Sequence, residues 1–428
     1  MSQTPFDNFD DAPRVPMVVI VDDEDQSSFA ELIHDQGVEA VAIGPDDLDS
    51  ELLARATVVV LDQYLENWPQ RAKLELPLTL RVPDGLALAA VLRSHVEHSG
   101  GKSGPTRAPV AFALRTGELD KLGVGLPRGA REHLLARQYN LEWVFSKGEQ
   151  STPTGPSVAA RVAALARASS TLPTDWTADS HDPGLGWLAL PSSPWADDVR
   201  WQVEQCRPPQ HVVAERSAGI AWLRWFLHKV LPFPTFLLDE MHLSVALGLT
   251  VNALKQVIRS ESDMATRLNE VLYRGPLDNF LGNRWWRAGV SHLVEEMIEE
   301  GSAYGEGRTR SIAAAVSHLH GSKLEEISVD DPVVGVRADY TIIPSPLSAA
   351  NCVRLQPDEW PPYADDAWSE KSAVTGEDAD RDLLALVVLT DRWRINSEAD
   401  EFDDVLSSEI SGDESDGLEA RDADKEPQ

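Results

Sequence analysis

Short runs of apolar, β-branched residues alternate with segments of helical periodicity along the first 170 residues. Runs of this kind are typical of buried parallel strands. The segments between them repeat apolar residues every three or four positions, as amphipathic helices do. This alternation predicts an α/β fold with a doubly wound, five-stranded parallel sheet. The predicted strands are residues 17–21, 38–43, 57–61, 109–114 and 141–145, and the predicted helices are residues 25–36, 46–56, 84–98, 131–139 and 157–169.

The remainder of the chain shows a different pattern. Residues 171–211 are rich in Pro, Gly, Ser and Trp at their start, and we interpret them as a linker or an irregular packed connection. Residues 212–396 are predicted to form a mainly α-helical second domain. Its predicted helices are residues 213–231, 239–247, 251–259, 264–273, 287–300 and 309–320, with a small hairpin at 333–336 and 340–343 and a late helix or strand at 381–393.

Composition and charge narrow the class of protein. The 428 residues carry a formal net charge of -32, and the acidic excess is largest in residues 331–428. Residues 397–428 are therefore predicted to form a disordered acidic tail. Residues 1–14 are predicted to be a flexible N-terminus. A strongly anionic surface repels phosphate backbones, which disfavours broad nucleic-acid binding. Two distant cysteines argue against a disulfide framework or a zinc site. We see no secretory signal and no membrane span, and expect a cytoplasmic protein.

Side chains that could bind a metal ion or take part in catalysis follow four of the predicted strands. Asp22 and Asp23 follow the first strand, Asp62 the third, Thr116 the fourth and Lys147 the fifth. The carboxyl ends of parallel strands share one edge of the sheet, which predicts that these groups converge there. Clustered carboxylates suit Mg²⁺, which takes oxygen ligands, and a carboxylate can attack phosphorus as a nucleophile. The lysine would neutralise charge on a phosphoryl group, and the threonine would donate to it.

These motifs resemble those of the response-regulator receiver domain, which has a flavodoxin-like fold. The resemblance covers residues 15–170 and includes Val21-Asp22-Asp23-Glu24, Val59-Val60-Leu61-Asp62 and the Asp84-Gly85 helix start, with Thr116 and Lys147 in their expected order. It implies a two-component phosphorelay protein. It further implies Mg²⁺ held by Asp22, Asp23 and Asp62, and phosphoryl transfer to Asp62 from a histidine kinase or a small phosphodonor. Thr116 and Lys147 would assist that transfer, and we find no other catalytic motif.

The sequence also departs from the family. About twenty residues, 63–83, separate Asp62 from the Asp-Gly turn, and this insertion includes Trp68. Gly148 replaces the proline that usually follows the lysine, and Val144 occupies the aromatic switch position. These departures favour, as an alternative, a pseudo-receiver that serves as an adaptor or subunit of a larger complex without phosphotransfer. In either case a protein partner is expected.

Residues 239–262 have the pattern of a helix-turn-helix around Gly248. The second helix would present Asn252, Lys255, Gln256 and Arg259, so a third hypothesis is a transcription regulator that binds DNA. Acidic neighbours disfavour it, and helical packing or protein binding is the alternative.

A second motif in this region is Arg284-Trp285-Trp286-Arg287. Trp and Arg are enriched at interface hot spots, so these four residues are candidate partner contacts. The alternative interpretation is that the tryptophans anchor helix packing.

Overall fold

The structure of the protein is a computed structural model. The structure describes residues 14–68, 82–99, 109–148, 155–174, 176, 182–216, 219–300, 308–375 and 381–395. Most of the predicted flexible N-terminus (1–14), the central part of the insertion (69–81) and the predicted acidic tail (397–428) lie outside these residues. Within the described parts of the chain, we find no helix with the length and apolarity needed to cross a membrane.

A five-stranded parallel sheet forms the N-terminal unit. The strands follow the order β2-β1-β3-β4-β5, which confirms the predicted doubly wound sheet. All residues of β1 and β3 are buried, as expected for central strands covered on both faces. The strands are β1 Met17–Val21, β2 Glu39–Ile43, β3 Val58–Asp62, β4 Ala111–Thr116 and β5 Trp143–Ser146.

Helices cover both faces of this sheet. One face packs against α1 and α6, and the other against α2, α3 and α5. The predicted helix 46–56 is shorter than expected, because the Asp49 side chain accepts a hydrogen bond from Leu52 N and starts a new helix there. The helices are α1 Ser27–His34, α2 Ser50–Arg55, α3 Gly85–Ser99, α4 Leu119–Leu122, α5 Arg131–Gln138 and α6 Val158–Ser170, and a short 3₁₀ turn, Pro45–Asp47, precedes α2.

The segment 171–211, which the sequence predicts as a linker or packed connection, is packed and partly helical. It contains α7 Pro183–Trp187 and α8 Ala196–Cys206. Trp176, Trp187 and Trp195 are each less than 9% exposed and belong to the main apolar core. Its described residues therefore form a packed connection, the second of the two interpretations, because these tryptophans bury large apolar surfaces in that core.

The predicted helix 213–231 is divided in the structure. Gly219 has φ +89°, a conformation that interrupts an α-helix, and the Trp176 indole fills the space beside its Cα. The chain therefore forms α9 Gln210–Arg216 and α10 Ile220–Trp225, followed by a π-helical turn, Phe226–Val230. The other helices agree with prediction to within a few residues: α11 Glu240–Ala246, α12 Val251–Ile258, α13 Asp263–Glu270, α14 Arg287–Glu300 and α15 Arg308–His320.

Small sheets complete the C-terminal part. Strand β6 Leu237–Leu238 pairs with β7 Trp285–Trp286, β8 Pro332–Val333 with β9 Leu347–Ser348, and β10 Cys352–Leu355 with β11 Ala367–Glu370. The predicted hairpin is present as an antiparallel bridge between Val336 and Ile342. The predicted element 381–393 consists of α17 Arg381–Ala385 and a 3₁₀ helix, Leu389–Arg394, and α16 Lys371–Thr375 precedes it.

One apolar core joins the sheet to the helical region. Residues of β1, β3, β4 and β5 belong to the same buried cluster as those of helices α8 to α15. At the edge of the sheet, the Trp143 ring meets Phe280 edge-on at 4.9 Å, and the His133 ring meets Phe233 at 5.5 Å. The helical region therefore covers the α1/α6 side and the β5 edge of the sheet by direct packing.

Candidate functional site: an acidic edge of the parallel sheet

The predicted groups converge at the carboxyl edge of the sheet. Asp22 follows β1 directly, Asp62 ends β3, Thr116 ends β4 and Lys147 follows β5. The Lys147 ammonium lies 2.8 Å from Asp62 Oδ1 and 3.1 Å from Asp22 Oδ2. The backbone N–H of Lys147 also donates to Thr116 O at 2.7 Å, which ties the lysine to the adjacent strand. The side chains of Asp22, Asp62 and Lys147, which are distant in sequence, thus form one polar cluster, and the backbone of Thr116 adjoins it.

The three aspartates could hold a divalent cation. Asp22, Asp23 and Asp62 each offer a carboxylate oxygen, and these oxygens lie within 4.8 Å of one another. An all-oxygen donor set with adjacent carboxylates fits Mg²⁺ better than a softer metal. Asn67 N donates to Asp23 Oδ2, and Glu24 N donates to Asp22 Oδ1, so backbone amides orient two of the three groups.

Burial and charge determine the protonation behaviour of the cluster. Asp62 is 6% exposed, and its burial raises its pKa. The hydrogen bond from Lys147 opposes that rise, whereas the negative charge of Asp22 adds to it. Burial alone would lower the pKa of Lys147, but its hydrogen bond to Asp62 and the charges of both aspartates raise it above its usual value. The lysine is therefore held as a cation beside the carboxylate.

The Thr116 hydroxyl lies beneath the loop after β4. Thr116 is fully buried, and its Oγ1 accepts a hydrogen bond from Glu118 N at 3.1 Å. This contact holds the side chain at the end of the strand, at the edge of the sheet where Asp62 and Lys147 lie. That this hydroxyl faces a reacting group at Asp62 stays a prediction.

Gly85 explains the Asp-Gly helix start. A Cβ at residue 85 would lie 1.7 Å from the carbonyl oxygen of Asp62, so a larger side chain has no room. The Gly85 amide donates to Gln63 O at 3.1 Å, and the Asp84 carboxylate accepts from Ala87 N at 2.9 Å. The first turn of α3 therefore rests against the backbone of Asp62.

Several neighbours of the site were not singled out from the sequence. Arg115 stacks over the Phe29 ring at 3.9 Å and lies near Asp22 and Asp62, while burial lowers its pKa. Tyr64 Oη donates to Glu118 Oε2 at 2.6 Å and joins the loops after β3 and β4. A charged residue near the end of a buried strand was the available signal for Arg115. No local pattern indicates the contact between Tyr64 and Glu118, which are 54 residues apart.

A cleft of about 450 Å³ opens beside the aspartates. Asp22 and Asp23 form one side, and Asp46, Asp47 and Trp68 form another. The Trp68 indole N–H donates to Asp46 Oδ1 at 2.9 Å. The described start of the insertion therefore lies beside this cleft.

The helix-turn-helix pattern corresponds to α11 and α12, with Gly248 at φ +68° in the turn. Asn252, Gln256 and Arg259 are exposed on α12, whereas the Lys255 ammonium pairs with Glu240 at 3.0 Å. One of the two basic side chains predicted to contact DNA is therefore neutralised within the protein. DNA binding itself stays a prediction.

The Arg284-Trp285-Trp286-Arg287 motif packs internally. Trp285 and Trp286 are 2% and 3% exposed, which confirms the packing interpretation and leaves little of either side chain for a partner. Arg284 donates to Leu231 O at 3.0 Å, and Arg287 pairs with Asp365 at 2.8 Å. The hydrogen bond of Arg284 and the ion pair of Arg287 thus stabilise the loops around β6 and β7.

Comparison with known proteins adds no assignment. No family model, no curated protein and no solved structure matches the chain. The functional proposal therefore rests on the geometry of the sheet edge. The five-stranded parallel sheet is compatible with a flavodoxin-like or receiver-like fold.

Proposed function

We propose that this protein is a phosphorelay signalling protein of the response-regulator type that accepts a phosphoryl group on Asp62. The observation that supports this proposal is the convergence of Asp22, Asp23, Asp62, Thr116 and Lys147 at one edge of the sheet. Buried carboxylates beside a single lysine are costly as a purely structural feature. The same arrangement suits a reaction in which negative charge is transferred to a carboxylate.

The chemistry follows from the contacts of Asp62. A carboxylate oxygen of Asp62 attacks the phosphorus of a phosphohistidine or of phosphoramidate, and the phosphorus–nitrogen bond breaks as the new phosphorus–oxygen bond forms. The departing nitrogen takes up a proton, and Asp62 becomes an acyl phosphate. Lys147 pairs with a phosphoryl oxygen, and Thr116 donates a hydrogen bond to another.

Asp22, Asp23 and Asp62 would hold a Mg²⁺ ion. When bound, the ion supplies positive charge that neutralises phosphoryl oxygens. Lys147 supplies part of this charge from the protein itself, because its ammonium contacts two of the three carboxylates.

Intact-mass measurement after incubation with Mg²⁺ and phosphoramidate tests the proposal. We expect one phosphoryl addition in the wild type and none in Asp62→Asn, which keeps the shape of the side chain and removes its nucleophilic charge. Asp25→Asn is the matched control, because Asp25 lines the same cleft as Asp22 and Asp23 but does not belong to the group of three aspartates that could hold a metal ion. Addition that persists in Asp62→Asn, or no addition to a folded wild type when the donor phosphorylates a control receiver, would refute the proposal.

A pseudo-receiver adaptor is the second candidate, and the shared core favours it. Because the helical region packs on the sheet through Trp143 and Phe280, it is not a detachable output domain. Such a protein would present one constitutive docking surface to a partner in a larger complex. Binding of a purified partner with equal affinity to wild type and Asp62→Asn, together with no phosphoryl addition, would establish this alternative.

A further inference from the structure

A buried carboxylate joins the sheet to the helical region. Glu142 precedes β5 and is completely buried. Arg93 of α3 donates to both of its carboxylate oxygens, at 2.8 and 3.1 Å. From the opposite side, Arg224 of α10 donates through Nε at 2.7 Å. Glu142, Arg93 and Arg224 thus form an ion triad, here called the Glu142 triad, that spans both parts of the protein.

The charge balance of the triad depends on both arginines. Burial alone would raise the pKa of Glu142, but the positive charges of Arg93 and Arg224 lower it, as do hydrogen bonds from Arg93 and from Phe112 N. An isolated buried carboxylate would be strongly unfavourable, so the carboxylate is bound to both cations. A displacement of one arginine would therefore alter the contact between Glu142 and the other arginine.

One route from the candidate site to the triad runs along α3. The first residue of α3, Gly85, rests against the Asp62 carbonyl oxygen, as shown above. Arg93 lies eight residues further along the same helix, which corresponds to roughly 12 Å of rise. A helix transmits a shift of its first turn as a nearly rigid body. A change in the backbone at Asp62 would therefore move Arg93 relative to Glu142.

A second route runs along β5. Lys147, which contacts Asp62, follows the C-terminal end of this strand, and Glu142 precedes its N-terminal end. Helix α3 and strand β5 thus each connect the surroundings of Asp62 at one end of the sheet with the Glu142 triad at the other.

In the helical region, the residues that contact the Glu142 segment lie on α10 and the π-helical turn that follows it. Arg224 Nη2 also donates to Asn140 O at 2.7 Å, and the ring Nε2 of His228 lies 2.9 Å from Glu142 O. Arg224 and His228 belong to α10 and the π-helical turn that continues it. A π-helical turn is a local departure from α-helical hydrogen bonding and often marks a functional position.

We propose that the Glu142 triad transmits phosphorylation of Asp62 to α10 and the π-helical turn, residues 220–230. This regulation rests on the proposed function of Asp62. It requires no aromatic switch residue in β5, where Val144 occupies the corresponding position and is buried. The physical requirement is a network with two arrangements that the phosphoryl group biases through α3 and β5.

Hydrogen–deuterium exchange of residues 220–230, with and without phosphorylation, tests the relay. Arg224→Gln removes one cation of the triad. Arg207→Gln is the matched control, because Arg207 pairs with Asp182 in the helical region and has a similar side-chain exposure, 24% against 23% for Arg224. Arg224→Lys retains the charge without the guanidinium geometry and serves if Arg224→Gln does not fold.

In the wild type and in Arg207→Gln, we expect phosphorylation to change amide exchange in residues 220–230 by about fivefold or more, the lower end of common allosteric couplings. In Arg224→Gln or Arg224→Lys, the mass should show the same phosphoryl addition while this change is lost. A triad that is merely structural would alter the unphosphorylated exchange and leave the phosphorylation-dependent change intact, which would overturn the relay. So would a phosphorylated wild type without a change at 220–230. A wild type that takes up no phosphoryl group would overturn the proposed function, and the relay with it.

Discussion

Individual buried polar residues define how the sheet meets the helical region. His228 and His133 both lie at this junction and are 5% and 4% exposed. Burial, together with nearby positive charges, lowers the pKa of His228 to about 4 and that of His133 to about 3. Glu142 acts in the opposite direction on His228 through its carbonyl oxygen and its charge. Both histidines are therefore neutral in the folded protein near neutral pH.

His228 should make stability depend on pH. Its pKa in the folded protein, about 4, lies below the usual 6.5. As pH falls below about 6.5, the unfolded chain takes up a proton that the folded chain excludes, and the free energy of unfolding decreases until pH reaches about 4. Between pH 7 and pH 5 the loss attributable to this side chain should be about 2 kcal/mol.

Urea denaturation at pH 7 and pH 5 measures this loss. His228→Gln, whose amide can still donate to Glu142 O, should lose about 2 kcal/mol less than the wild type over this interval. The exposed His211 supplies the control His211→Gln, which should lose as much as the wild type. An unchanged pH dependence in His228→Gln would show that His228 is not held neutral by the fold.

At the scale of elements, the packing of α3 against β3 sets the geometry of the candidate site. The start of α3 touches the backbone of Asp62, and the far part of the helix carries Arg93 to Glu142. Helices α11 and α12 are joined by the expected turn, but Lys255, the basic residue within α12, is paired with Glu240. The contacts of α3 therefore relate to the candidate site, whereas those of α12 give little support to DNA binding.

A methyl group at the start of α3 should disturb the site. Because a Cβ at residue 85 would overlap the Asp62 carbonyl oxygen, Gly85→Ala should destabilise the fold by about 1–3 kcal/mol and slow phosphoryl uptake. Gly186→Ala is the control, because no atom lies within 4 Å of the Cβ it would add. Denaturation midpoints and the rate of mass addition give the result. A Gly85→Ala protein as stable and as reactive as the Gly186→Ala control would contradict the close approach of α3 to Asp62.

One apolar cluster lies between the sheet and helices α2, α3 and α5, whereas the largest apolar core extends from the opposite face of the sheet into the helical region. This core includes sheet residues such as Trp143 and helical-region residues such as Trp222 and Phe280. A smaller separate cluster, which includes Val353 and Leu355, lies under the C-terminal strands. The sheet and the helical region are therefore expected to depend on each other for stability, unlike two domains joined by a linker.

Unfolding should consequently follow a single transition for the sheet and the helical region. Tryptophan fluorescence and far-ultraviolet circular dichroism should report coincident urea midpoints. Phe280→Ala removes a fully buried ring that contacts Trp143, and should lower both midpoints together, at a cost of about 3–5 kcal/mol. Trp201 is 62% exposed, so Trp201→Ala should leave both midpoints nearly unchanged. Two separated transitions in the wild type would indicate independent domains instead.

The sequence by itself determined the strands, most of the helices and the edge on which Asp22, Asp62, Thr116 and Lys147 meet. Apolar periodicity is a local property, and the carboxyl ends of parallel strands necessarily share an edge, so both could be read without coordinates. The broken helix at Gly219 required the position of Trp176, which is distant in sequence.

Only the tertiary structure decided how the two parts of the chain are joined. Glu142 is 49 residues from Arg93 and 82 from Arg224, and nothing in the local pattern indicates that the three meet. Likewise, Trp285 and Trp286 could have lain at a surface or in a core, because burial depends on which elements pack over a residue. Contacts of long sequence separation are specified by the packing of the whole chain, and this packing makes the sheet and the helical region one structure.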